Sequence, residues 1–346
     1  MPETSVNTQE NIILIDWFSF TSKIDCLDTI KRLLGLDDPS IIFQEIGGMH
    51  GYKDRLYFEG ISIHYNGSEK MNLKDTVWVE MSGQGCRAFE QYSSHKDWRF
   101  ILSLLLADLV SYNITRCDIA YDDWSGVLDI SLLKRESEKH NIVTKFRDYG
   151  VDMSFVSDDI TLYFGSKKSD VLFRCYNKAA ERGKEDEIKH WIRFEMQLRD
   201  AYALKFLQEF YKSDDLGHTF SGVLKHYLRF VKPSRSDSNK ARWSTRPWWQ
   251  RFVDNAESIS LYTQKGTDYN EYKLHEFVVN NVGNAVDTFI TIFGEEKLLE
   301  DLKKRRTRLS AKYKQLIDSH KFRHAQDNAA EILKCLGEYN DVQGMV

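Results

Sequence analysis

Up to about residue 200 the apolar positions switch repeatedly between strand-like runs and single amphipathic helices. Asn11 to Phe20 is a nearly continuous apolar run, which predicts a buried strand. From Asp25 to Leu34 the residues Leu27, Ile30, Leu33 and Leu34 recur at helical spacing, with Gly35 as the stop. Strand patterns follow near Ile41 to Ile46, Tyr52 to Phe58, Ile61 to Tyr65 and Thr76 to Ser82, and Glu59-Gly60 reads as a tight turn between two of them. The result is an expected antiparallel meander, followed by helices around Cys86 to Tyr92 and Trp98 to Val110. The second of these is apolar on most sides and is expected to be central.

A similar order recurs. Ile114 to Asp122 reads as a strand and Ile130 to Lys139 as a helix; strands follow near Ile160 to Phe164, Val171 to Lys178 and His190 to Arg199, then a helix from Ala201 to Tyr211. Each half is strand, helix, antiparallel strands, helix, and in this alignment Asp16 falls where Asp118 falls and Glu80 where Glu195 falls. The fold expected is α+β, a duplicated unit on one sheet or two packed sheets. Phe206 to Phe230 is helical in pattern, Pro233 with Ser234, Ser236 and Ser238 marks a boundary, and beyond it only Ile259 to Tyr262 resembles a strand. The domains expected are residues 1–112, 113–232 and a mostly helical 233–346.

Composition narrows the class. At 42 % apolar and 29 % charged residues, with four prolines in 346 residues, the chain is a folded protein of long regular elements rather than a disordered or proline-rich one. The longest apolar run, Ile101 to Val110, is interrupted by Ser103 and Asp108 and is about half of the roughly 20 residues a membrane span needs. Met1 to Glu10 is polar and lacks the basic stretch and apolar core of a signal peptide, so a cytoplasmic location without membrane association is expected. Cys26, Cys86, Cys117, Cys175 and Cys335 are scattered without CxxC spacing, which argues for reduced thiols and against a zinc site.

Candidate chemistry lies in what alternates with the apolar residues of the second unit. Around Thr115 to Asp122, Cys117, Ile119 and Tyr121 point one way, and Arg116, Asp118, Ala120 and Asp122 the other. Opposite Val171, Phe173 and Cys175 stand Leu172, Arg174, Tyr176 and Lys178. Opposite Ile192, Phe194, Met196 and Leu198 stand Trp191, Arg193, Glu195, Gln197 and Arg199. A solvated sheet face is also polar, but solvated faces favour Thr, Lys and Ser over short carboxylates placed mid-strand beside arginines. Carboxylates close together on rigid strands suit a hard divalent cation, Mg2+ or Mn2+, so Asp118, Asp122 and Glu195 are candidate ligands. A phenol is a weak nucleophile at neutral pH unless a metal or a cation stabilises the phenolate, and Lys178 and Arg174 are placed to do so for Tyr176.

Taken together, the motifs resemble the Rep_trans family of rolling-circle plasmid replication initiators and related relaxases of integrative conjugative elements. They are Ile15 to Thr21 (IDWFSFT), Gly83 to Arg87 (GQGCR), Arg116 to Asp123 (RCDIAYDD), Tyr163 to Ser169 (YFGSKKS), Arg174 to Lys178 (RCYNK), Arg193 to Arg199 (RFEMQLR) and Asn239 to Trp243 (NKARW). They fall in order across residues 12 to 250. The resemblance implies an origin-specific, metal-dependent nicking-closing enzyme whose nucleophile is Tyr176, with Arg174, Lys178 and Arg193 as its catalytic companions. Attack on the scissile phosphate would leave a 5′-phosphotyrosine and a free 3′-OH, which primes replication or marks the strand for transfer. Plasmid or mobile-element DNA is the implied partner, with a helicase and a second copy of the chain as further candidates. The paired-histidine motif of the other common relaxase class is absent: the ten histidines are isolated. His190, nearest the site, is a candidate ligand or base but reads more readily as a solvated residue at a strand end.

DNA binding must be reconciled with a net charge of −4, and affinity for phosphate depends on local patches rather than on the mean. From Lys225 to Arg251 there are eight Lys and Arg against the single acid Asp237, with Trp243, Trp248 and Trp249 interleaved. In this segment Arg235, Lys240, Arg242 and Arg246 are expected to hold phosphates, and the tryptophans to stack on unpaired bases; packing against the C-terminal helices is the alternative for those rings. A second basic run comprises Lys303, Lys304, Arg305, Arg306, Arg308, Lys312 and Lys314. Two competing functions remain open on these residues, a non-catalytic DNA-binding replication factor and a metal-dependent nuclease that uses water. A tyrosine recombinase is disfavoured, because its catalytic set belongs on helices.

Overall fold

The buried positions of the first strand change parity part-way: Ile13 and Ile15 are buried, then Phe18 and Phe20. An alternating strand can do this only by inserting an extra residue, and the computed structural model, which describes residues 10–24, 26–95, 97–153, 160–258 and 283–305, has a β-bulge there. This strand, β1 (Ile12–Ser22), pairs antiparallel with β6 (Tyr112–Asp123) at the centre of the molecule. Outward from β1 come β5 (Val77–Met81), β4 (Ile61–Gly67), β3 (Tyr52–Phe58) and β2 (Gln44–Gly47). Outward from β6 come β11 (Ile192–Arg199), β10 (Val171–Asn177), β9 (Ile160–Phe164) and β8 (Tyr149–Met153). The ten strands form one antiparallel sheet in which the second half repeats the strand order of the first. β7 (Ile142–Thr144) and β12 (Leu228–Phe230) make a separate two-stranded ribbon.

Helices cover one face. α1 (Leu27–Leu33), α2 (Gly83–Tyr92), α3 (Trp98–Ala107), α4 (Ile130–Glu138), α6 (Asp200–Ser213), α7 (Leu216–Tyr227) and α8 (Pro247–Ser258) all contribute to a single core with the inward strand residues. Their starts are local in origin: Asp97, Asp129 and Asp215 each accept a backbone N–H of the first turn, at 2.8, 3.0 and 2.8 Å. The expected Glu59-Gly60 turn is present, with φ of 47° and 86° at its two residues, the paired positive values of a type I′ hairpin turn, whose twist matches that of the strands it joins.

Several expectations shift. The strand expected to run through Lys178 ends at Asn177, whose side chain accepts from the N–H groups of Ala179 and Ala180 and starts the one-turn α5 (Lys178–Glu181). The helix expected to reach Val110 stops at Ala107. The boundaries expected at 112/113 and 232/233 both fall inside one compact unit, residues 1–265, because the two halves share the β1–β6 seam and α8 packs in the same core. The second unit, residues 266–346, is described for helices Gly283–Phe293 and Glu295–Arg305. The expected strand at Ile259 to Tyr262, Cys335 and the basic residues from Arg306 onward lie outside the described residues. No disulfide joins the described cysteines; Cys86, Cys117 and Cys175 are buried thiols. No helix among the described residues is long and apolar enough to cross a membrane.

Candidate active site

On the face away from the helices, register decides which side chains meet. Tyr176 on β10 stands opposite Arg193 on β11, and Arg193 stands opposite Asp122 on β6. One step along, Arg174 faces Glu195 and Glu195 faces Ala120; a further step brings Gln197 opposite Asp118. The alternate residues Phe173, Cys175, Phe194, Met196, Cys117 and Ile119 fill the core, so packing on one face holds the chemistry on the other.

Two knots of ion pairs result. In the first, Arg116 donates from Nε and Nη2 to the two oxygens of Asp118 at 2.8 and 2.5 Å, and its guanidinium lies 4.3 Å from the Trp17 ring centroid. Arg174 bonds Glu195 through Nη2 and lies 3.6 Å from Asp118 Oδ2, so one guanidinium joins two carboxylates. The Tyr176 hydroxyl donates to the other oxygen of Glu195 at 3.2 Å. In the second knot Arg193 donates to both oxygens of Asp122 at 2.6 and 2.7 Å and reaches Asp16 through Nη1 at 2.8 Å. Lys178 pairs with Glu181, with its ammonium 5.6 Å from the Tyr176 ring centroid.

The electrostatics describe a resting site. Burial pushes the Asp118 carboxyl up to about 7; Glu195 adds to this, and Arg116 and Arg174 oppose it. Burial and then the Glu195 charge raise the Tyr176 phenol far above its ordinary value, with Arg193 pulling the other way. Burial and then Arg193 lower the Lys178 ammonium. Tyr176 is therefore protonated at neutral pH.

Among the described residues no three His, Cys, Asp or Glu side chains converge as a ready-made metal cage. Asp118 and Glu195 do meet at one guanidinium, that of Arg174, and a hard cation bound through two carboxylates plus substrate phosphate and water fits such a pair. Both oxygens of the third candidate ligand, Asp122, are engaged by Arg193, as those of Asp118 are by Arg116 and those of Glu195 by Arg174 and Tyr176. His190 is engaged as well, at 3.0 Å from the buried Asp123, whose carboxylate also accepts from Ser125 and Leu128.

The model of the family described as "Replication initiation factor", Rep_trans, matches residues 112–303, and that of the rolling-circle replication initiation protein N-terminal domain matches residues 12–105. The chain belongs to the Rep_trans family. It is 28 % identical over 273 residues to a putative DNA relaxase, NicK, of Bacillus subtilis (strain 168), covering 75 % of each chain. A solved rolling-circle replication initiator protein from Geobacillus stearothermophilus is similar at 27 % identity and a TM-score of 0.64, over 73 % of this chain and 99 % of that one. Membership in this family of rolling-circle initiators and relaxases supports a DNA nicking-closing protein.

For a Rep_trans protein the basic aromatic segment lies in an unexpected place. Trp249 is 1 % exposed and packs on Phe194, Phe230 and Phe252, so it belongs to the helix-covered core and has no free face for a base. Trp248 packs on Phe230, and the Trp243 indole N–H donates to the Asp237 carbonyl at 2.6 Å. Arg246 is paired with Glu136 at 2.6 Å, Arg242 donates twice to Asp237 at 2.7 Å, and Lys240 donates to the His140 carbonyl. Much of the segment's charge thus fastens its own loop; Arg235 is exposed. Because Phe194 and Glu195 are successive residues of one strand, Trp249 lies behind the sheet from the Tyr176 site. Asp16, by sequence the first-half counterpart of Asp118 and with Glu80 a weaker candidate ligand, has its carboxylate on Arg193 of the second half.

Proposed function

We propose that this Rep_trans protein nicks and rejoins one strand of origin DNA through Tyr176, with a 5′-phosphotyrosine intermediate. The observation that carries this is the bond from the Tyr176 hydroxyl to Glu195, which shares Arg174 with Asp118. The phenol oxygen attacks phosphorus, its proton passes to the Glu195 carboxylate, the bond from phosphorus to the 3′-oxygen breaks, and that oxygen takes up a proton as a 3′-OH. The tyrosyl phosphodiester keeps the bond energy, so attack by a 3′-OH rejoins the strand without ATP. Asp118 and Glu195 would hold Mg2+ or Mn2+, which supplies positive charge beside the scissile phosphate. Arg174 and Arg193 counter the charge on phosphate and phenolate, and Lys178 lies against the tyrosine ring. The substrate is unpaired or extruded, since a tyrosine on a strand does not reach into a duplex; a helicase and a second copy of this chain are the protein partners that suit the role.

The test is a suicide oligonucleotide carrying the nick site. Wild type should give an adduct that survives SDS, and both Tyr176→Phe and excess chelator should abolish it while origin binding persists. An adduct of wild-type yield from Tyr176→Phe would overturn the nucleophile. Nicks with a free 5′ end and no adduct would favour a water-using nuclease, and binding without any cleavage a non-catalytic replication factor.

A further inference from the structure

We infer that Asp16, a residue of the first half, is a positioning residue for the strand-transfer chemistry of the second half, acting through Arg193. The inference rests on the Tyr176 reading and extends it. Asp16 is the extra residue of the β1 bulge: Ile15 and Trp17 pair with the consecutive residues Ile119 and Asp118, leaving Asp16 unpaired. A bulge re-aims a side chain, and this one sends a carboxylate across β6 to a guanidinium on β11.

The surroundings hold that geometry from two sides. Arg87 on α2 donates to the Ile15 carbonyl at 2.7 Å and is itself paired with Glu90 at 2.8 Å, which pins the bulged backbone. Gly83 clears room for the carboxylate, since a Cβ there would sit 2.8 Å from Asp16 Oδ1. Arg193 in turn has its Nε and Nη2 on Asp122 and its Nη1 on Asp16, and its side chain is only 5 % exposed. Two carboxylates from two strands thus fix the plane of the guanidinium that stands cross-strand from Tyr176. With Asp122 alone, the fork could still pivot about one edge; Asp16 removes that freedom. A bidentate fork held at its third nitrogen is a way of orienting charge before the phosphate arrives.

The experiment is single-turnover cleavage of a pre-melted nick-site oligonucleotide by the full chain, recording the rate at saturation and the half-saturating concentration separately. Asp16→Ala should lower the saturated rate by about tenfold or more with half-saturation unchanged. Asp16→Asn, which keeps an oxygen acceptor for Nη1, should recover most of the rate, and Gly83→Ala, which crowds the carboxylate, should fall in the same direction as Asp16→Ala. Thermal unfolding of each variant checks that the protein is folded at the assay temperature. A wild-type rate for Asp16→Ala alongside an inactive Tyr176→Phe overturns this inference alone. A rate loss matched by an equal loss of folded protein, or no rescue by Asn, also overturns it. An active Tyr176→Phe overturns the Tyr176 reading instead.

Discussion

The two halves of the sheet present the same lattice with different chemistry. In the second, Glu195 pairs with Arg174 and Ala120, and two residues away Arg193 pairs with Tyr176 and Asp122. In the first, Glu80 pairs with Ser62 and Ser19, and two residues away Trp78 pairs with His64 and Thr21. The glutamate keeps its place, and so does an outer tyrosine, Tyr57 beside Ser62 and Tyr163 beside Arg174. The residues around the glutamate are exchanged: serine for Arg174, tryptophan for Arg193, histidine for Tyr176. His64 is fully buried against Trp78 with ring centroids 4.6 Å apart, and burial, with Arg55 and His50 adding to it, lowers its pKa to about 4. Neither of its ring nitrogens has a hydrogen-bond partner. A shared backbone register therefore supplies matching positions in both halves, while the guanidinium–carboxylate pairs of the candidate site are built on β6, β10 and β11 of the second.

The strongest challenge to this contrast is to treat equivalent positions alike. Tyr176→Phe should reduce SDS-stable adduct by about 10,000-fold, whereas His64→Phe, at the matching register, should stay within about threefold of wild type. Comparable losses in the two variants would show that the halves share the reaction. The contrast extends from halves to faces at Trp249: Trp249→Ala should cost about 3–5 kcal/mol in urea unfolding, while the salt dependence of DNA binding by the folded variant stays at the wild-type slope. A shallower slope would put this segment on the DNA.

Asp118 has Trp17 as its counterpart by pairing, and here pH separates the halves. Because burial raises the Asp118 pKa to about 7, above the roughly 3.9 of an unfolded aspartate, the stability that it contributes is complete below the unfolded value and lost as pH rises through the folded one. With chelator present, Asp118→Asn should flatten the fall in melting temperature between about pH 4 and pH 7, and an unchanged slope would refute the assignment. The smallest effect is expected at Arg242, whose pair with Asp237 is solvent-screened and contributes little; Arg242→Gln should leave adduct formation unaltered, as read in the same oligonucleotide assay.

Much of the site is legible along the chain because side-chain alternation is a local property of a strand. Asp118, Arg174, Tyr176, Arg193 and Glu195 can be placed on polar strand faces without knowing which strands are neighbours, and the core faces of the same strands follow from the same period. The parity change from Ile15 to Phe18 that marks the bulge shows only in burial, because Ile12 to Ile15 are all apolar in sequence. Neighbour and register are long-range matters, settled by how ten strands close over one core. Matching Asp16 to Asp118 along the sequence is off by one, since the bulge makes Trp17 the residue opposite Asp118. That Asp122 pairs with Arg193, and that Asp16 crosses from the other half to join it, depends on strands distant in sequence lying side by side. Local charge density likewise marked residues 225–251 as a DNA surface, but which way Trp249 faces is set by the core it fills, because burying a large aromatic ring outweighs the charges that flank it.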